Sequence, residues 1–202
     1  MKKDSPASKA TWGELKARLA GIDRPGLIGL VQDLYAASKD NQAFLHARFG
    51  LGGDVLKPYK ATIDRWLWPD VLKNQDTSVA KAKKAIADYR KAVGQPDGLA
   101  ELAVFFCERG VGFSSDIGLQ DEDFFAALVR MFSEAVDISA TLPVEQRAGL
   151  LARLDAVRHL GHNLGYGVGD DMDDLLLRHG VDPLRRRDRG PESRERAAHP
   201  VA

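Results

Sequence analysis

SVAKAKKAIADYRKAV, residues 78–93, decides the fold class. Val79, Ala82, Ile86, Tyr89 and Val93 recur at steps of three and four, which places them in one narrow seam along a helix. Lys81, Lys84 and Lys91 fall outside that seam, with Asp88 among them. The same period continues in both directions. Upstream, Thr11 and Glu14 have capping-box spacing and open a helix over 11–20, with Trp12, Leu15 and Leu19 on one face. Pro25 suits the first turn of the next helix, where Leu27, Ile28, Leu30, Val31, Leu34 and Tyr35 form the stripe of a buried face. Asp40 is expected to cap a third helix carrying Phe44, Leu45 and Phe49 inward, up to the break at 50–53. Asp54 is expected to cap a fourth, with Tyr59, Ile63, Trp66 and Leu67 apolar and Trp68-Pro69 as its stop.

Downstream, 94–98 (GQPDG) reads as a strong breaker. Residues 99–108 follow as a helix with Leu102, Phe105 and Phe106 buried, and 110–120 reads as a loop by composition. Asp121 caps a long helix through Phe124, Phe125, Leu128, Val129, Phe132 and Val136. Pro143 opens another with Leu150, Leu151, Leu154 and Val157, and a last short helix covers about 170–179. The reading is therefore all-α: one domain over 11–180, a bundle or short stack of antiparallel helical hairpins, with about eight or nine helices. A flexible basic N-terminus (1–10) and a disordered Arg-rich tail (181–202) flank it.

Composition agrees. Leu and Ala number 24 and 26, while Ile, Val and Thr together number 24, a balance that favours helix formers over strand formers. No apolar run reaches the roughly 18–20 residues of a membrane span, and the single Cys107 leaves no intramolecular disulfide. A cytoplasmic protein is expected, with no membrane contact. Charge is balanced overall but uneven. Residues 11–94 carry 14 basic and 9 acidic side chains, whereas 95–183 carry 6 and 16. Such a dipole steers a charged partner or promotes self-association, and either effect weakens with salt.

GLIGLVQDLYAASKDNQAFLHARFG, residues 26–50, resembles the N-terminal signature (LIxLVxDLYxxSKDNxxFLxxRF) of an uncharacterised bacterial all-helical domain family. SVAKAKKAIADYRKA (78–92) and NLGYGVGDDMDDLL (163–176), with its GYGxGD step, are similar to later stretches of it. The resemblance implies a small, all-helical intracellular protein and carries no assigned activity.

The densest group of chemically capable residues is His159, His162, Asp170, Asp171, Asp173 and Asp174. Two imidazoles and four carboxylates offer nitrogen and oxygen donors for a divalent metal, which would polarise a phosphate or carbonyl or activate a water. The competing reading is structural. His159 sits near a helix C-terminus, Asp170 or Asp171 caps the last helix, and the remaining acids suit the positive end of its dipole. Gly165, Gly167 and Gly169 lack the strand and the Lys-Ser/Thr pair of a phosphate loop, and read instead as a tight turn around Tyr166.

Asp33, Tyr35, Asn41 and Arg48, with Ser38, either line a polar groove between the second and third helices or serve as turn and cap residues. Lys81, Lys84 and Lys91, supported by Lys73, Lys83, Arg90 and the tail arginines, are the candidate anion-binding set. The acidic balance of 95–183 weighs against nucleic acid, and no groove-reading motif accompanies the lysines. No nucleophile–base pair is evident, and Cys107 after Phe105-Phe106 reads as a small buried hydrophobe. The leading expectation is thus a non-enzymatic interaction or adaptor module whose partner is another protein or a second copy. No cofactor is expected. A metal-dependent enzyme on the His/Asp group is the alternative, and a weak nucleic-acid binder the third.

Overall fold

The computed structural model describes residues 10–180. The expected flexible N-terminus and Arg-rich tail, with the tail arginines, lie outside the described residues apart from Ala10. Nine α-helices and a single 3-10 turn (Val71–Lys73) occur among the described residues, and no strand does. No helix among them is long and apolar enough to cross a membrane. Contacts divide the chain at the glycine-rich break into a unit ending at Leu51 and a unit beginning at Gly52.

The first unit holds α1 (Trp12–Leu19), α2 (Arg24–Ala37) and α3 (Lys39–Arg48). The Thr11–Glu14 capping box forms as expected: each side chain bonds the backbone N–H of the other residue. Asp23 caps α2 through the Gly26 N–H, with Pro25 in the first turn. The cap of α3 is Ser38, whose hydroxyl accepts from the Asn41 N–H at 3.1 Å, and not Asp40, which lies inside the first turn. The larger correction concerns burial. Ala47 is the one buried residue of these three helices; Leu27, Ile28, Leu30, Val31, Leu34, Tyr35 and Phe49, expected in the core, are all exposed, and Phe44 and Leu45 are half-buried.

The second unit holds α4 (Lys57–Leu67), α5 (Val79–Ala92), α6 (Pro96–Ile117), α7 (Glu122–Ala140), α8 (Val144–Gly161) and α9 (Val168–Arg178). Asp54 does not cap α4 directly. Its carboxylate accepts from the Leu56 N–H in the preceding turn, and α4 starts with Pro58 in its first turn. Ser78 and Asp121 cap α5 and α7. The breaker at 94–98 is shorter than it reads, because Pro96, Asp97 and Gly98 already form the first turn of α6.

α6 is the centre, packing against α4, α5, α7 and α8, while α9 closes on α7 and α8. It is also where sequence and structure diverge within this unit. Residues 110–117, expected as a loop, continue α6 without a break to the left-handed cap at Gly118. The small residues there serve close packing. A Cβ on Gly110 would lie 3.0 Å from Leu128 Cδ1, and one on Gly112 would lie 2.4 Å from the Trp68 ring. Ser114 turns its hydroxyl back to the Gly110 carbonyl at 2.8 Å, so its polar atom needs no solvent.

Phe106, Phe125, Phe132, Leu102, Leu128, Leu154, Met172 and Leu176 form the fully buried core. Cys107 lies among them as the buried small side chain expected, and burial pushes its thiol well above the ordinary range. An ion-pair chain links α4, α6 and α8 at the rim. Arg153 grips Glu108 with two bonds of 2.7 and 2.8 Å and reaches Glu101, which also takes Lys60 at 2.6 Å. Burial alone would raise the Glu101 carboxyl, but the Arg153 and Lys60 bonds outweigh it and hold the group below the usual carboxylate range.

Candidate functional site

Arg158 organises the polar cluster at the α8–α9 junction. Its helix buries Leu150, Leu154, Val157 and Gly161 on one face, and position 158 falls on that same face, four residues after Leu154. The guanidinium side chain is only 4% exposed, and such a group keeps its charge, so it requires partners on every side. Its Nε donates to Asp155 Oδ1 at 3.0 Å, and its Nη1 donates to Asp173 Oδ1 on α9 at 2.8 Å. Nη2 donates to His159 Nε2 at 2.8 Å, which places the His159 proton on Nδ1.

His162, the C-cap of α8, stands between two carboxylates. Its Nε2 lies 3.2 Å from Asp173 Oδ2 and its Nδ1 lies 3.8 Å from Asp170 Oδ1. The start of α9 comes close enough to allow this only because residue 169 is glycine. A Cβ there would sit 2.5 Å from the His162 ring. Tyr166, in the turn between the helices, adopts φ +60° and lays its ring 5.8 Å from that of Phe125.

Of the residues singled out in the sequence, this geometry joins His162 and Asp170 with Asp173; one ligand atom from each lies within 4.8 Å of the others. His159 is turned to Arg158, and Asp171 and Asp174 stand apart, exposed. Helical period accounts for Asp171: 170 and 173 lie about 60° apart on α9, while 171 is rotated by ~100° from 170 and ~160° from 173. Neither Asp170 nor Asp171 caps α9. The N-cap is Gly167, and both acids lie in the first turn, where the helix dipole favours them. The donor set of one imidazole and two carboxylates is chemically suited to a divalent cation. Two features work against it. Asp170 and Asp173 approach opposite ring nitrogens, and the fixed positive charge of Arg158 lies 2.8 Å from Asp173 and 3.4 Å from His162 Nε2.

Most of the remaining candidates have structural employment. Tyr35 shares a 3.0 Å hydrogen bond with His46. Asn41 and Gln42 donate to the Leu34 and Tyr35 carbonyls, closing the end of α2. Arg48 lies over the Phe44 ring, and Asp33 is exposed on α2. The polar atoms of Tyr35 and Asn41 thus tie the α2–α3 joint together. On α5, Lys81 sits 3.8 Å over the Trp66 ring, Lys84 pairs with Asp88 at 2.5 Å, and Lys91 is exposed. A shallow cleft of about 400 Å³ beside α4 is lined by Asp54, Lys57, Asp64, Phe105 and Arg109, among others. Its Arg109 is paired with Asp64.

Two features therefore define this chain: an all-α body with a buried guanidinium cluster, and a three-helix unit whose apolar stripe is exposed. Comparison with protein-family models, with curated proteins and with solved structures finds no match to it. Sequence reasoning missed Arg158 and His46. For Arg158 a signal existed, since an arginine on the apolar stripe of its own helix, with acids in reach at i−3, marks a buried pair. For His46 there was none, because its partner is set by how α2 meets α3.

Proposed function

We propose that this protein is a non-enzymatic interaction module of the cytoplasm, presenting α1–α3 to a protein partner. One observation carries the reading: α2 turns Ile28, Val31 and Leu34, 59%, 46% and 52% exposed, to the outside of a unit that buries only Ala47. A monomer rarely leaves a contiguous apolar patch beyond about 300–600 Å² uncovered, and larger ones mark interaction sites. Hydrogen exchange on the full chain, at a dilution where it sediments as a monomer, tests this. Amides of α2 and α3 should exchange on the order of 100-fold faster than those of α6 and α7, and an apolar dye should bind. Protection of α2 equal to that of α6, with no dye bound, would mean that the chain covers the face itself and would end the reading.

A second reading, a divalent-cation site serving metal-dependent chemistry, is favoured by the convergence of His162, Asp170 and Asp173. It predicts that Mg²⁺, Mn²⁺ or Zn²⁺ at ~100 times Kd stabilises the fold by roughly 2.7 kcal/mol. That corresponds to a midpoint rise of about 5–10 °C, reversed by EDTA and absent in His162→Ala. If Arg158 already serves as the cation of this cluster, no ion moves the midpoint, and the metal reading falls.

A further inference from the structure

Three helices that bury one alanine have no core of their own, and size gives them little chance of one. The described part of the unit runs from residue 10 to 51, and helical units this small ordinarily need a metal, a disulfide or oligomerisation to hold together. It contains no cysteine. At 100° per residue, Leu27, Ile28, Leu30, Val31, Leu34 and Tyr35 spread over about half the circumference of α2. A single neighbouring helix covers an apolar stripe of roughly 100°. α3 is the helix of this unit that packs on α2, and the six side chains stay exposed beside it.

We propose that a second copy of this chain covers the face, with α2 and α3 of two copies closing into a four-helix arrangement about a two-fold axis. This rests on the interaction reading above and names its partner. Area supports it. The exposed side chains of the α2 stripe offer roughly 550 Å², and Phe49 and Leu51 after α3 bring this to on the order of 800 Å², against roughly 800 Å² per partner in a stable interface. Charge supports it too. Residues 10–51 carry five basic and four acidic side chains, so two copies of this unit do not repel. The α2 stripe itself carries no charge that would select a partner of opposite sign. An uncharged apolar face is self-complementary when doubled about a two-fold, and two helical hairpins make the smallest bundle with a closed core.

Sedimentation velocity and light scattering on the full chain from ~1 to ~200 µM decide it. The wild type should rise to twice the 22.1 kDa chain mass across that range, and Val31→Glu/Leu34→Glu should stay at the chain mass. Cooperative unfolding of α4–α9 in the variant, followed by α6–α7 exchange, shows that the rest of the chain is folded. A wild type at the chain mass throughout overturns the second copy. If its α2 amides still exchange fast and dye binds, a different protein partner remains and the interaction reading stands; if they are protected, both fall. A dimer unaffected by the double variant also overturns the proposal, because its interface would lie elsewhere.

Discussion

Phe132→Ala should lower the unfolding free energy by about 3–5 kcal/mol, read as a shift in urea midpoint at constant slope. Phe132 is 0% exposed on α7, the helix that packs against α6, α8 and α9. Truncation removes the apolar burial of a full ring and leaves a cavity, since helices packed on three sides cannot all move inward to fill it. Against a typical stability of about 5–15 kcal/mol, that loss is a third or more of the total. Leu72→Ala is the matched control. Leu72 is 92% exposed, so its truncation should stay within about 0.5 kcal/mol. A Phe132→Ala cost below about 1 kcal/mol would show that the inner face of α7 is not packed as described.

Arg158→Met should cost a comparable amount, about 3–5 kcal/mol, by a different route. The apolar stem of the side chain is kept, so little volume is lost. What disappears is the guanidinium paired with Asp155, whose side chain is 11% exposed, and the bond to Asp173. A carboxylate largely removed from water then keeps its charge without the guanidinium that compensated it. Asp155→Asn on the Arg158→Met background should therefore recover stability, whereas the same substitution alone should destabilise. A double-mutant cycle on urea midpoints gives the coupling directly. Additive losses at the two positions would show that the pair does not interact.

Much of this fold was legible locally. The Thr11–Glu14 box, the Ser78 and Asp121 caps, the prolines of first turns and the seam of α5 each concern residues within one or two turns of each other. The physics that makes a helix acts over that range. Hence the all-α class and most helix positions followed from the sequence alone. The errors arose where a residue's meaning depends on something distant. Gly110 and Gly112 look like loop residues, yet they are small because Leu128, Phe124 and Trp68 press against them. The buried Arg158 beside His162 and Asp173 went unread for the same reason, since its partner Asp173 stands on α9.

The stripe on α2 shows the division most clearly. Its 3.6-residue period determines that Leu27, Ile28, Val31 and Leu34 share a side of a helix, and the structure keeps them there. Period specifies an apolar face, not the surface that will cover it. Burial is a property of two elements at once, and within this unit the helix that packs on α2 is α3. The sequence alone determined the helices and their apolar sides. Tertiary structure decided which of those sides found a neighbour, because removing a face from water requires a second surface, and periodicity within one helix does not encode it.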